Sequence, residues 1–440
     1  MKKSESNSEA DGSIRRPWAG RLIQNALALV VSAGGTAVVG VAFWGIAAHL
    51  ASPAAVGRTS AEIAAMVLVA NLAQLSFGSI FERFLPVAGS QTRTFVRRAY
   101  VMCVSFAFVA SIVYVSSGLA RNFIPSSILW HAFFVVSVVM WTIFILQDSV
   151  LVGLRSARWV PVENILYAIA KLALLPLMIA FSASQGIFVA WSVPVSLTII
   201  GVTWYLFSKR IPEHEAAGGP RESLPQTREL VFLAGAQYAT LLFSVFTPSI
   251  ISLIVIERLG AVANAHYYVT ALISSGLVLF NLSIERSFLV EAASEPYALR
   301  HHANVAMAAM ATVLIPGVLI GLIFAPELLR IFGAEYAAKG TTLLRLLLLS
   351  VPLSTVSIFY SSFAWLDKKV WWMAARDLVS VLIYFAVILP LMGRFGINAI
   401  GIGTLVSSGV LAIFFLPITI RRYRMTSNTH DPRAAPETTP

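Results

Sequence analysis

A single lysine, Lys171, lies in the middle of a long apolar segment. A cation at the centre of a membrane-crossing helix costs about 2.5–3.5 kcal/mol on insertion scales, so such residues usually face a cavity or a partner. An ammonium group in a cavity can bind an anion such as a phosphate. Two other interpretations stay open: Lys171 neutralises Asp148 on the preceding segment, or its side chain extends to the membrane surface. Glu163, about 12 Å away along the same helix, is too far for a direct pair.

The dipeptide Glu-Arg occurs twice, as Glu82-Arg83 and as Glu285-Arg286, each time at the end of an apolar segment. Arginine binds phosphate through two parallel hydrogen bonds, which suits a pyrophosphate. The recurrence favours a gate or an anion-collecting entrance at one membrane surface. The alternative is that both dipeptides anchor helix ends at the surface, where charges cost little.

Amides and acids inside or beside the apolar segments form a further group of candidates. In hydrocarbon, amide side chains normally bond to neighbouring helices, and lining a polar pathway is the alternative function. The amides concerned are Asn71, Gln74 and Gln237. The carboxylates predicted to act in gating or coupling are Glu82, Asp148, Glu163, Glu285 and Asp377.

No set of residues matches a catalytic or metal-binding motif. The only cysteine is Cys103, so neither an intramolecular disulfide nor a cysteine-based metal site can form. The sequence lacks the GxxxxGK[ST] phosphate-binding loop and the HExxH zinc motif. We therefore expect no enzyme active site, no metal and no cofactor.

Twelve apolar segments position these residues, and each is long enough to cross a bilayer. The hydrocarbon core of a bilayer is about 30 Å thick, which requires roughly 20 apolar residues in a helix. The composition agrees, because 58% of the residues are hydrophobic and only 12% are charged. The predicted fold class is an all-α polytopic membrane protein with about 12 transmembrane helices. The segments are 26–49, 61–81, 99–118, 124–148, 162–182, 186–207, 229–256, 265–284, 303–325, 341–365, 371–393 and 397–420.

The placement of lysine and arginine predicts which side faces the cytoplasm, because cytoplasmic loops retain positive charge. With the N-terminus inside, most of the 32 lysines and arginines fall on the cytoplasmic side, and both termini are cytoplasmic. Residues 1–20 lack the apolar core of a signal peptide. The basic residues are spread over separate short segments, so nucleic acid is not an expected partner. Seven fall on the outer side: Arg58, Arg121, Arg258, Arg330, Lys339, Arg345 and Arg394.

A polar segment at 208–228 divides the apolar segments into two sets of six. The motif LPLM occurs at Leu175–Met178 and again at Leu389–Met392, in the fifth segment of each half. Six segments per half give both halves the same topology, related by a pseudo-two-fold axis, and two such bundles permit alternating access to a cleft between them. The predicted organisation is a cytoplasmic tail at 1–25, a six-helix bundle at 26–207, a linker at 208–228, a second six-helix bundle at 229–420 and a disordered tail at 421–440.

Four segments carry a resemblance to a known family. The first two apolar segments are joined by Ser52-Pro53-Ala54-Ala55-Val56-Gly57, and the second is followed by the turn Arg83-Phe84-Leu85-Pro86. Residues 147–175 and residues 332–347 (FGAEYAAKGTTLLRLL) are also similar in character. In this order the chain from 22 to 420 resembles the polysaccharide-type (Wzx-like) flippases of the multidrug/oligosaccharidyl-lipid/polysaccharide (MOP) superfamily. The resemblance implies a two-bundle transporter of twelve to fourteen helices.

The resemblance also implies a function, the movement of a polyprenyl-pyrophosphate-linked oligosaccharide from the inner to the outer leaflet for cell-surface polysaccharide biosynthesis. It places the protein in the inner or plasma membrane, among membrane lipids and with glycosyltransferases or a polymerase of the same pathway as partners. An anionic lipid-linked sugar requires cations and polar groups within the bilayer. The predicted substrate-binding residues are therefore Lys171, Arg83, Arg286, Asn71, Gln74 and Gln237.

Three alternatives stay open. A cation-coupled exporter of small molecules from the same superfamily would favour a pocket lined by carboxylates. A membrane-embedded glycosyltransferase or polymerase usually needs a sizeable extramembrane loop, whereas the longest outer loop predicted here is 326–340. A non-transporting assembly scaffold is the third.

Overall fold

The computed structural model describes residues 38–156, 159–216, 235, 238, 247–294, 296–367 and 369–425. These residues form helices joined by short turns, and ten of the helices described are long and apolar enough to cross a membrane. An all-α polytopic membrane protein is thereby confirmed, while the total of 12 helices and the cytoplasmic termini stay predictions. The helices are α1 (Val38–Leu50), α2 (Pro53–Ala73), α3 (Phe77–Phe84), α4 (Thr92–Ser116), α5 (Ile128–Gly153), α6 (Trp159–Phe181), α7 (Gln185–Tyr205), α8 (Ile211–Ala216), α9 (247–259), α10 (Ala261–Ser294), α11 (Leu299–Ile323), α12 (Ala325–Arg330), α13 (Ala334–Leu366), α14 (Val370–Phe395) and α15 (Asn398–Met425).

Large apolar side chains cover the outer surfaces of these helices. Phe181 and Ile413 are each 79% exposed, and many of the leucines and isoleucines of α6, α7, α14 and α15 are exposed as well. Apolar surface of this extent associates with lipid rather than with water. The chain is a multi-pass membrane protein.

The end of the bundle at which α2 and α10 begin is predicted to face outwards, and we call it the outer end. Ser52 caps α2 there, because its Oγ accepts a hydrogen bond from the Ala55 amide at 3.3 Å. Pro53 occupies the first helical turn, where its missing N–H costs nothing. The segment from Ser52 to Gly57, expected as a loop, is therefore a helix cap and first turn, and the second span begins earlier than predicted.

The second predicted span, 61–81, is interrupted. Helix α2 ends at Ala73, and Leu75 and Ser76 have left-handed backbone angles, with φ of 49° and 62°. Such a conformation costs about 1–3 kcal/mol for a residue other than glycine, so the surrounding structure must hold it in place. Helix α3 then starts in a new direction and packs against α5.

Two sets of helices pack internally and meet along one contact. Helices α2 to α7 pack together, as do α10 to α15, and the main contact between the sets joins α2 to α10. We refer to the two sets as the first and second half. Part of the predicted linker is helical, because residues 206–216 continue α7 through a π-helical turn into α8. Residues 217–228 lie outside the described part of the chain.

Candidate functional site

The ammonium group of Lys171 lies in a cage of aromatic rings. Its Nζ is 4.0 Å from the ring centroid of Trp191, 4.8 Å from that of Tyr167 and 5.4 Å from that of Phe43. These rings come from α7, α6 and α1, and Lys171 itself is only 7% exposed. A desolvated cation over aromatic faces gains about 2 kcal/mol or more from the negative electrostatic potential at the faces of these neutral rings. We call Lys171 and these three rings the lysine cage.

The structural pairing expected between Lys171 and Asp148 is not formed. Within the described residues, the ion pairs include neither Lys171 nor Asp148. The aromatic faces of the cage take the place of a carboxylate, so the positive charge of Lys171 is stabilised without being neutralised. The expectation that Lys171 extends to the membrane surface is also wrong, because its ammonium is held inside the first half.

The two carboxylates on α5 and α6 form a separate buried cluster. Asp148 and Glu163 are close enough to repel each other. Both oxygens of Glu163 and Oδ1 of Asp148 are buried without a hydrogen-bond partner in the described structure, and so is the hydroxyl of Tyr100. Buried polar atoms without partners are costly, so retaining them points to a function such as binding a proton or a cation.

The Glu-Arg dipeptides lie towards the opposite end of the bundle, which we call the inner end. Glu82 and Arg83 belong to α3 of the first half, and Arg286 belongs to α10 of the second. Desolvation raises the pKa of Glu82 above its usual value, and the Arg286 guanidinium partly opposes that shift. The two halves therefore face each other here through charged groups. Neither Arg83 nor Arg286 forms an ion pair with a described residue.

The second dipeptide is not at a helix end, in contrast to the prediction. Helix α10 continues to Ser294, so Glu285 lies more than two turns inside it. The Ser362 hydroxyl donates to Glu285 Oε1 at 3.1 Å. Asp377 and Arg376 of α14 form an ion pair, and both lie close enough to Glu285 to interact with it electrostatically. Arg376 also donates to the Ser357 carbonyl. Asp377 is thus already neutralised.

Asn71 and Gln74 bond within their own helix, so the expected contact with neighbouring helices is not formed. Asn71 Nδ2 donates to the Val67 carbonyl at 2.7 Å, and Gln74 Nε2 donates to Asn71 Oδ1 at 3.0 Å. Together they extend the hydrogen bonding of α2 up to the backbone break. Gln237 lies outside the described residues.

A tight polar contact joins the halves at the outer end, and we call it the outer seal. Asn264 of α10 is fully buried, and its Nδ2 donates to the Gly57 carbonyl at 2.8 Å and to Ser60 Oγ at 3.0 Å. A Cβ atom on Gly57 would lie 1.7 Å from the Ala261 carbonyl oxygen, so only glycine permits this approach of α2 to α10. Trp44 of α1 adds an aromatic contact with Tyr268 of α10, at 4.7 Å between ring centroids.

Sequence patterns missed three of these residues. Asn264 immediately precedes the predicted span 265–284 and was not recognised as buried. Glu62 is 3% exposed and accepts a 2.6 Å hydrogen bond from the Trp130 indole, yet it lies at the edge of a predicted span. The position of Glu62 as a single carboxylate beside apolar residues is the one indication of its burial that the sequence offers. Gly57 is the last residue of the motif that joins the first two predicted spans, and the sequence does not indicate its contact with the second half.

Replacing Asn264 with leucine is expected to loosen the outer seal. The Ser60 hydroxyl and the Gly57 carbonyl lose their buried donor, which costs about 1–3 kcal/mol and shifts the opening equilibrium by about ten-fold. Spin labels on cysteines at Ala54 and Val262 report the distance between the outer ends. Cys103 is buried and need not be removed.

The expected result is a longer component in the distance distribution of the Asn264→Leu variant. Asn398→Leu, at the start of α15 and away from the seal, serves as the control. Identical distributions for the wild type and Asn264→Leu would show that these hydrogen bonds do not hold the outer ends together.

Comparison with known protein families finds no match, and comparison with curated proteins finds none either. Solved structures do match. An outward-facing MATE multidrug-resistance transporter of the MOP superfamily aligns with 93% of this chain and 96% of its own, with a TM-score of 0.61 and 13% identity. The fold is that of the MATE transporters. An inward-facing MATE structure aligns with 91% of this chain and 95% of its own, at a TM-score of 0.61 and 14% identity.

A third match shares the MATE fold but differs in its binding pocket. It is a MOP superfamily transporter from Pyrococcus furiosus, described as having a pocket of reversed polarity that suggests a different function. It covers 93% of this chain and 96% of its own at a TM-score of 0.63, with 13% identity. Similarity at this level of identity establishes the fold, and the substrate of this chain must be argued from its own residues.

Proposed function

We propose that this protein is an alternating-access flippase that moves a polyprenyl-pyrophosphate-linked oligosaccharide from the inner to the outer leaflet of the inner or plasma membrane. The observation that carries the proposal is the placement of two arginines at the inner end, Arg83 on the first half and Arg286 on the second. Neither forms an ion pair with a described residue, although Arg286 is close enough to Glu82 and Glu285 to interact with them electrostatically. Arginines so placed attract an anionic phosphate and can bind it from two sides.

In this proposal the outer seal closes the outer end, and the charged inner end is the side that opens towards the cytoplasm. The substrate enters at the inner end with its pyrophosphate between the arginines and its polyprenyl tail in the surrounding lipid. Rocking of the halves then breaks the contacts of Asn264 and separates Trp44 from Tyr268. The availability of the MATE fold in inward-facing and outward-facing forms supports such a cycle.

The lysine cage adds a positive charge deeper in the first half. Trp44 is in contact with both Trp191 of the cage and Tyr268 of α10, with ring centroids 6.1 Å and 4.7 Å apart. Opening of the outer seal therefore changes the packing directly beside the cage. In this proposal Lys171 attracts the pyrophosphate as it leaves the inner arginines, and glycosyltransferases or a polymerase of the same pathway are the partners.

A cation-coupled exporter of small molecules is the second candidate. It is favoured by Asp148 and Glu163, whose buried oxygens without partners suit a proton or a cationic solute. In the flippase the same carboxylates bind the coupling ion instead.

Mass spectrometry of polyprenyl-linked saccharides in host cells, before and after depletion of the protein, tests the proposal. Accumulation of a complete lipid-linked unit with loss of its surface glycan is the expected result. An unchanged lipid-linked pool with an intact surface glycan would remove the flippase and favour the exporter. Accumulation of a truncated unit would point to a transferase.

Substitution of the inner arginines is expected to slow translocation. Arg83→Ala and Arg286→Ala each remove charge-assisted hydrogen bonds worth about 1.5–3 kcal/mol, so each is expected to lower the rate of surface glycan production by about ten-fold. Rates are compared in depleted cells that express each variant at equal abundance.

Arg98→Ala is the matched control, because Arg98 is exposed near the inner end of α4 in the first half. Equal losses for Arg98→Ala and Arg83→Ala would mean that positive charge at this membrane surface, rather than a binding site, determines the rate.

A further inference from the structure

An apolar groove runs along the second half, away from its contact with the first. Helix α13 forms the floor, with Pro352, Phe359 and Phe363, and the walls are α11 and α15. The groove has a volume of about 700 Å³. Its lining residues all belong to these three helices, whereas the first half is contacted through α10. The groove is therefore separate from the pathway proposed for the substrate.

The inner end of the groove is basic. Arg300 of α11 and Arg424 of α15 both line it, and the Arg300 guanidinium lies over the ring of Tyr423 at 5.6 Å from its centroid. Tyr423 also donates its hydroxyl to Asn304 of α11, which ties the two walls together at this level. Arg422, one residue away, is neutralised by Asp367 at 2.7 Å. The mouth thus combines positive charge with hydrogen-bond donors.

The groove is long enough to hold a lipid tail. Arg300 and Ile315 line its two ends on α11, and 15 residues of helix correspond to about 22 Å. One leaflet contributes about 15 Å to the hydrocarbon core. An acyl chain whose headgroup lies at the mouth therefore reaches through the leaflet and occupies about 15 Å of the groove, the part lined by Met307 and Met310 on α11.

We propose that this groove is a binding site for an anionic diacyl phospholipid of the inner leaflet. Arg300 and Arg424 bind the headgroup phosphate, and one acyl chain lies along α13 between α11 and α15. Basic residues at the membrane surface favour anionic lipids, and an apolar groove buries the chain at little cost. A lipid bound there stabilises the second half, and its binding does not depend on the identity of the transported substrate.

Binding of spin-labelled lipids to the purified full-length protein in phosphatidylcholine vesicles tests this site. The fraction of motionally restricted label is compared between spin-labelled phosphatidylglycerol and spin-labelled phosphatidylcholine. The wild type is expected to prefer phosphatidylglycerol. Arg300→Ala with Arg424→Ala is expected to weaken that preference at least five-fold, since each arginine near an anionic surface contributes about 1 kcal/mol.

Two further variants distinguish binding in the groove from general attraction of anionic lipids to the basic surface of the protein. Arg421→Ala removes one positive charge from the same end of α15, but Arg421 does not line the groove, so the preference should persist, in contrast to Arg424→Ala alone. Ala311→Trp fills the groove and should lower binding of both labels there while leaving the arginines in place. Equal losses for Arg421→Ala and the double variant, or displacement of the label by a polyprenyl phosphate but not by unlabelled phosphatidylglycerol, would overturn the proposal.

Discussion

Replacing Gly57 with valine is expected to reduce transport by at least a hundred-fold while each half stays folded. The valine Cβ would lie 1.7 Å from the Ala261 carbonyl oxygen and 3.0 Å from the Ala265 amide nitrogen. Both atoms belong to backbone of the other half and cannot move aside within a rigid helix. The outer ends therefore cannot close, and a transporter that cannot close on one side cannot complete its cycle.

Surface glycan production and the Ala54–Val262 spin-label distance are the two measurements. The distance is expected to shift entirely to its longer component, and Gly57→Ala, which adds the same Cβ atom, should shift it as well. Gly201→Val is the control, because a Cβ atom on Gly201 meets no atom within 4 Å and the glycine lies in a helix of the first half. Normal transport by Gly57→Val would mean that the outer seal is not part of the cycle.

Replacing Lys171 with methionine is expected to lower transport by at least ten-fold at unchanged protein abundance. Methionine keeps most of the apolar stem between Phe43, Tyr167 and Trp191 but removes the charge. The buried charge of Lys171, which no described carboxylate neutralises, carries a desolvation cost. Removing the charge therefore destabilises the first half by at most the energy of the lost cation–π contact, about 2 kcal/mol. The effect on transport then reports on the charge itself.

Lys171→Arg and Lys171→Ala complete the series. Arginine keeps the charge and is expected to recover most of the transport, whereas alanine removes both charge and stem and should also lower the melting temperature. If methionine transports as well as lysine, the cage is a structural feature of the first half and Lys171 leaves the mechanism.

The fold was predictable because the membrane imposes it. Long apolar segments must be helical where backbone groups cannot bond to water, so their length and number indicate the fold class directly. The bounds were less accurate. Helix α2 begins at Pro53, eight residues before the predicted span. Apolar patterning could not indicate this start, because the first two turns of the helix contain polar residues. The break at Leu75 and Ser76 contains neither glycine nor proline and could not be predicted from composition.

The candidate site was predictable only in part. Lys171 stands out because a charge in an apolar segment is rare, but its cage is assembled from Phe43, Tyr167 and Trp191 on three helices. Each of those rings alone is an ordinary core residue. Asn71 and Gln74 have the right chemistry for a ligand, yet their spacing of three residues lets them bond to each other. Only the packing of α2 against α10 shows that Asn264 and Gly57 belong to one contact.

The two left-handed residues after α2 have no counterpart in α10. That helix runs unbroken from Ala261 to Ser294, although both helices contribute to the outer seal. The first half therefore has a break between its part of the seal and α3, whereas one continuous helix carries both Asn264 and Arg286 in the second half. A movement of Arg286 is therefore coupled to Asn264 along one helix, whereas the connection from Arg83 to Gly57 passes through the break after Ala73. The pseudo-two-fold relation predicted for the halves does not extend to these two helices, and opening outwards and opening inwards are expected to differ in rate.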